Sequence, residues 1–153
     1  MKLKSLVLMV FVFSLLSILN ADFNTEEKSV LKVVNQFLKM LETGDTDIAK
    51  EILVKEGSNF SLREKGEKSF DIRFTPYESL IKSLPKTKGK FREVIKKPKV
   101  LIHKSIAVVW APYRFYIDNE FSHCGIDSFS LIKDGEQWKI ASIIYTVEKR
   151  TCK

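Results

Sequence analysis

Cysteine and histidine are scarce, with two of each in 153 residues. Standing at His103, His123, Cys124 and Cys152, they match no common zinc-ligand spacing, so no metal site is expected. The sequence has no internal repeat and no low-complexity linker, which excludes a repeat array and leaves a single domain as the expected organisation. It also lacks an apolar run long enough to cross a bilayer. Leu6 to Leu19 is 14 residues, interrupted by Ser14 and Ser17, against the roughly 20 a spanning helix needs. No cysteine follows that run, which argues against lipid attachment there.

What the first residues do contain is the pattern of a secretory signal: Lys2 and Lys4, the short apolar stretch, then Asn20-Ala21. The expected division is a signal peptide over 1–21 and one domain over 22–153, exported to a periplasmic or extracellular space. Removing 21 of 153 residues leaves 132, enough for a core. Two lysines leave with the signal, so 24 basic and 19 acidic side chains remain, a net +5. Seven of the basic ones crowd into KTKGKFREVIKKPK, residues 86–99, opposed only by Glu93. An exported protein rarely meets nucleic acid, and lysine-rich edges suppress aggregation. The run is therefore read as a solvated edge, with no nucleic-acid partner and no stable membrane insertion after cleavage. An even cysteine count in an exported chain favours a disulfide between Cys124 and Cys152.

Asn24 and Glu27 stand at capping-box spacing, and Val30, Val33, Val34, Phe37 and Leu41 form the stripe of an amphipathic helix. A short second helix is expected over about 46–53, then strands SNFSLRE and KSFDIRF around a turn at Lys65-Gly66. TPYESLIKSL predicts a helix with Thr75 as N-cap and Pro76 at the first helical position. Four strands follow, over about 91–103, 105–117, 120–133 and 137–148, with turns at Asp118-Asn119 and Asp134-Gly135. Helices first and a long antiparallel meander second predict an α+β fold, a curved sheet wrapped around one long helix. The sequon Asn59-Phe60-Ser61 matters only in a source that glycosylates its exported proteins.

The run VVWAPYRFYIDNEFSHCGIDSFSLIKDGEQWKIASIIYT, residues 108–146, with Cys152 close behind, resembles the exported branch of the nuclear transport factor 2-like superfamily. Members of that polyketide-cyclase-like branch are often labelled "putative lumazine-binding". The resemblance implies a cone-shaped fold with a cavity between the long helix and the sheet. Its relatives include ketosteroid isomerase, scytalone dehydratase, polyketide cyclases and many non-enzymatic binding domains, so the fold alone does not give the activity. It also suggests a homodimer packed sheet to sheet.

With both turns taken as two-residue loops, one face carries Trp110, Arg114, Tyr116, Phe121, His123, Asp127, Phe129 and Trp138. The other carries Tyr113, Phe115, Cys124, Ile143 and Tyr145. A one-residue bulge would exchange the faces. The first face is expected to line the cavity, giving Trp110, Arg114, Tyr116, His123, Asp127 and Phe129 as ligand-binding candidates. The second, through Tyr113, Ile143 and Tyr145, is expected to form the dimer surface. Neighbours in a strand point apart, so His123 and Cys124 form no catalytic pair. His123 and Asp127, four apart, are about 13 Å apart at their Cα atoms and form no dyad. Gly125 is read as open space beside the pocket wall or as a bulge site, and His103 as a surface residue. Asp127 and His123 remain the catalytic candidates. The expected function is an exported cavity protein binding an apolar or aromatic small molecule, with no cofactor. The alternatives are an isomerase-, dehydratase- or cyclase-type enzyme using Asp127, and a dimeric interaction module with a filled cavity.

Overall fold

A computed structural model describes residues 25–65, 69–149 and 152. The expected signal peptide, the Asn24 cap and the Lys65-Gly66 turn lie wholly or partly outside the described residues. Helix α1 runs over 25–43 and is followed by a single turn, α2, at Ala49–Ile52. Strands β1 (Leu53–Glu64) and β2 (Phe70–Pro76) come next, then α3 (Tyr77–Ser83) and a 3₁₀ turn at Leu84–Lys86. The remainder is β3 (Phe91–Ile95), β4 (Lys99–His103), β5 (Ile106–Ile117), β6 (Glu120–Asp134) and β7 (Gln137–Val147). Pro76, not Thr75, precedes the first residue of α3, and its fixed φ suits that position.

The expected strand over 91–103 is two strands. Lys97 takes a positive φ and Pro98 has no N–H to give a ladder, so the chain jogs there. β3 and β4 then pair with opposite halves of β5. The seven strands order as β2-β1-β7-β6-β5-β3, with β4 also on β5. β1 runs parallel to β7, an insertion the antiparallel meander did not anticipate.

α1 lies across the concave side of this sheet. Its Val30, Val34, Phe37 and Met40 are buried, at the spacing of one helical face, and Phe37 meets Phe129 edge-on at 6.0 Å. Burying four such side chains supplies about 6–12 kcal/mol of apolar transfer energy before entropy is counted. At the helix start, the Glu26 carboxylate accepts hydrogen bonds from Lys133 Nζ and Trp138 Nε1, both at 2.7 Å. The Lys133 bond, then the Trp138 bond, holds Glu26 below the usual carboxylate range. Trp138 therefore belongs to the helix anchor.

Two bulges decide which side chains reach the concave face. Asp118 and Asn119 are the turn residues, both with positive φ, and Tyr116 faces Phe121 as expected. Ser122 is then unpaired, so Phe115 faces His123 and Ala111 faces Asp127. The β6–β7 turn centres on Gly135-Glu136, since Asp134 faces Gln137, and Ala141 is a second unpaired residue. β6 keeps its expected faces from His123 onward, but Phe121, before the bulge, turns outward beside Tyr116 and is 44% exposed; β5 exchanges its faces, and β7 exchanges them after Ile140. Tyr113, Ile143 and Tyr145 are consequently inside the molecule, which overturns their assignment to a dimer surface.

The same shift brings Cys124 opposite Glu148, with two backbone hydrogen bonds between them. Cys152 lies within reach, and the two cysteines form a disulfide with Cα atoms 5.8 Å apart. Gly125 stands where β7 presses closest. A Cβ there would collide with the Thr146 carbonyl and hydroxyl, so the position is filled, not open.

Candidate functional site

A cavity of about 390 Å³ lies between α1, α3 and the concave face. β6 sends Asp127 and Phe129 into it from the centre of the sheet. β7 adds Ile143 and Tyr145, β5 adds Tyr113 and Phe115, and Phe37 and Leu41 close it from the helix. The walls are largely aromatic, while the floor is not. Asp127 is 3% exposed and Asn59, on β1, is 8% exposed.

Two acids meet at that floor. Glu93 reaches in from β3, and its carboxyl hydrogen-bonds that of Asp127. Burial raises the carboxyls of both above their ordinary range, and the charge of Glu93 raises Asp127 further. Two contacting carboxylates cannot both ionise cheaply in a dry site, so the pair holds a shared proton. Among the described residues Asn59 Oδ1 has no partner, and Asp127 Oδ2 has none outside the acid pair. Buried polar atoms normally find one, so two such acceptors in one cavity mark it as a place for a donor.

The other polar groups are committed. Tyr113 donates its hydroxyl to the Thr146 carbonyl at 2.6 Å. Burial, then the charges of Asp127 and Glu93, hold its phenol above the usual range. Tyr145 is hydrogen-bonded with the buried Ser61. His123 stacks on Phe115 at 4.8 Å, meets Tyr113 edge-on, and shares a 3.0 Å hydrogen bond between Nδ1 and Ser122 Oγ. Burial, aided by the nearby charges of Arg63 and Lys149, lowers its pKa to about 4, so the ring is neutral at pH 7. Arg63 and Lys149 are exposed cations among the lining residues, and Ser83 and Thr87 are exposed lining residues as well.

A sequence profile of one protein family, described as "Putative lumazine-binding", matches residues 25–146. The chain belongs to that family. Its fold is the nuclear transport factor 2-like one, as solved structures agree. A nuclear transport factor 2-like protein of unknown function from Shewanella baltica superposes with a TM-score of 0.62 at 14% identity, covering 83% of this chain and 97% of that one. A superfamily protein from Salmonella enterica serovar Typhimurium gives 0.64 at 14%, covering 85% and 96%. The "beta subunit of a putative aromatic-ring-hydroxylating dioxygenase" from Novosphingobium aromaticivorans gives 0.67 at 10%, covering 85% and 94%. At such identities the likeness is one of fold. No curated protein matches the sequence.

The cavity of this family member holds three of the six ligand-binding candidates: His123, Asp127 and Phe129. The other three lie elsewhere because the Ser122 bulge turns β5 over. Trp110 is 51% exposed on the convex face. Arg114 lies over the Phe121 ring at 5.4 Å, and Tyr116 lies under Arg92 at 4.2 Å. Of the two catalytic candidates, Asp127 is at the floor and His123 on the wall, unconnected by any hydrogen bond among the described residues. Three residues were missed. Glu93 is hidden in the basic run, where its lone opposite charge was the available signal. Asn59 was read as a sequon, yet its side chain is buried. Tyr113 was assigned to the wrong face.

Proposed function

We propose that the protein is an exported small-molecule carrier or sensor that binds an aromatic ligand in this cavity, over the Glu93–Asp127 pair. The observation that carries the reading is Asp127 Oδ2, buried without a described partner outside the acid pair in an open, aromatic-walled space. A cavity of about 390 Å³ also weighs against a module filled by its own side chains. Mass spectrometry of the molecule that co-purifies with the native protein tests the reading, with Asp127→Asn as the comparison. Ligand lost from the variant supports it; equal retention in both proteins refutes the role of Asp127. Cleavage after Ala21 in protein recovered from the exported fraction, read by N-terminal sequencing, tests export.

A second reading has one specific support. A buried carboxyl pair that shares a proton near neutrality is suited to moving protons, as isomerase or dehydratase chemistry requires. Solvent deuterium appearing on carbon in the co-purified molecule, and not with Asp127→Asn, would favour it.

The dimer proposal moves to the convex face and takes a second copy of this chain as its occupant. Phe74, Phe60, Ile144, Ser128 and Trp110 form a row across five strands there, and Phe74, Ile144 and Trp110 are exposed. Such a row is about 20 Å wide, and two copies related by a twofold axis would cover one another's apolar residues. A monomer in sedimentation at micromolar concentration would refute it.

A further inference from the structure

Resting on the cavity reading above, we infer that the ligand has an ordered polarity: an aromatic body with a hydrogen-bond donor at its inner end and an anionic group at its outer end. The inner half of the claim stands on two acceptors, Asp127 Oδ2 and Asn59 Oδ1, both buried and neither with a described partner outside the acid pair. They come from different strands. Asp127 faces Tyr145 while Asn59 faces Ile143, so the two lie diagonally across β7 and face one shared space. With the shared proton held in the Glu93–Asp127 hydrogen bond, the acid pair turns lone pairs only to an incoming group, as Asn59 Oδ1 does. A ligand N–H or O–H satisfies such an oxygen, whereas a carbonyl or carboxylate placed there meets a second acceptor.

The outer half stands on Arg63 and Lys149. Both line the same cavity, both are exposed, and neither forms an ion pair with a described residue. Arg63 faces Val147 across the β1–β7 ladder, two residues before Lys149, which places both cations at one end of the cavity. His123 beside them is neutral, so the positive charge at that end comes from Arg63 and Lys149. An aryl acid entering donor first would leave its carboxylate or phosphate at that end, where an arginine fork and an ammonium are suited to it. An acid entering with the anion first would instead bring it against the carboxyl pair, a like-charge contact in a dry site.

Three fused-ring probes of one size separate the two ends: 6-amino-2-naphthoate, 2-naphthoate and 2-naphthylamine, titrated calorimetrically at pH 7.5, where the aryl amine is neutral. The full probe is expected to bind about tenfold tighter than either partial one, each end contributing one charge-assisted hydrogen bond. Asp127→Leu should bring 6-amino-2-naphthoate down to the affinity of 2-naphthoate and leave 2-naphthoate itself unchanged. Asn59→Leu tests the same end if that variant does not fold. Arg63→Ala with Lys149→Ala should bring the full probe down to the affinity of 2-naphthylamine. Equal affinity of the full probe and 2-naphthoate overturns the inner donor; equal affinity of the full probe and 2-naphthylamine overturns the outer anion. In both cases the cavity reading survives, since the probes still bind. Binding that none of these substitutions alters overturns the placement of the ligand. If no probe binds below 1 mM, the aromatic-cavity reading fails as well, and the polarity with it.

Discussion

The two faces of this sheet are built from the same strands and are similarly apolar, yet they have opposite fates. The concave face lies under α1, and its Val109, Ala111, Phe129, Ile140 and Ile143 are all buried. The convex face leaves Ile106, Val108, Trp110, Ile132 and Ile144 in contact with solvent. The buried acid Asp127 is also on the concave side, and it is tolerated there because Glu93 shares a proton with it. Hydrophobicity alone does not tell the faces apart. What does is the closure of α1 on one side, together with two unpaired residues that turn β5 and half of β7 over.

Adjacent isoleucines give the sharpest way to break this comparison. Ile143 is 2% exposed and Ile144 is 47% exposed. Ile143→Glu would place a charge in the core beside an acid pair, with an expected loss of about 3 kcal/mol or more. Ile144→Glu, measured in dilute protein, should change stability by no more than about 0.5 kcal/mol. Urea midpoints of the two variants check this, and similar losses for both would erase the distinction between the faces.

The disulfide ties the end of the chain to the sheet beside the cavity. Cys124 and Cys152 are separated by 28 residues, so closing that loop contributes about 3–4 kcal/mol in the chain-entropy picture. The double change Cys124→Ser with Cys152→Ser should lower stability by that order, most of which should also be lost when the wild-type protein is reduced. Thiol titration of the unfolded, non-reduced protein should find neither cysteine free.

Much of this was legible in the sequence. The α1 stripe, the β-rich second half and the Asp118-Asn119 turn each follow from local rules, because each is fixed by neighbours in the chain, while the cysteine pair follows from there being two cysteines and no more. The site was legible only along β6, where alternation alone places His123, Asp127 and Phe129 inward. Ser122 and Ala141 carry no local mark of a bulge, since a bulge is chosen by how the sheet must bend over the helix. Without those two residues the faces of β5 and β7 come out reversed, taking Tyr113 and Tyr145 out of the cavity and putting Trp110 in. Glu93 was obscured for a related reason. In the sequence it sits among lysines, and only the pairing of β3 with β5 brings it toward Asp127.

The acid pair and His123 make opposite contributions to the pH dependence of stability. Both carboxyls are raised by burial, so the native protein holds more protons than the unfolded chain above about pH 4. Their contribution is therefore present at low pH and is lost as pH rises through the native values. His123 is lowered to about 4, so between there and its ordinary value the unfolded chain takes up the proton and stability rises with pH. Arg63 and Lys149, which face His123, favour this neutral form. Above about pH 7.5 the histidine of the unfolded chain is also largely neutral, and the acid pair alone should impose a decline of at most about 1.4 kcal/mol per pH unit for each proton. Asp127→Asn should flatten that decline between about pH 7.5 and 8.5 in a series of urea titrations. An unchanged slope would mean the two acids do not share a proton.

The smallest expected effect belongs to Trp110, and it is informative because it is small. A tryptophan inside a core costs about 3–5 kcal/mol when cut to alanine size. Trp110 instead faces outward from β5, paired with Ser128 and 51% exposed. Trp110→Ser should therefore leave the urea midpoint of dilute protein within about 0.5 kcal/mol of wild type. Ligand affinity should not change either, since the ring does not line the cavity. At higher concentration the outcome should differ, because a second copy seated on the convex face would lose a large aromatic anchor. Sedimentation across a concentration series separates the cases. Weaker self-association with unchanged dilute stability places Trp110 at an interface, while a large stability loss at every concentration would put it back in the core and restore the unbulged register of β5.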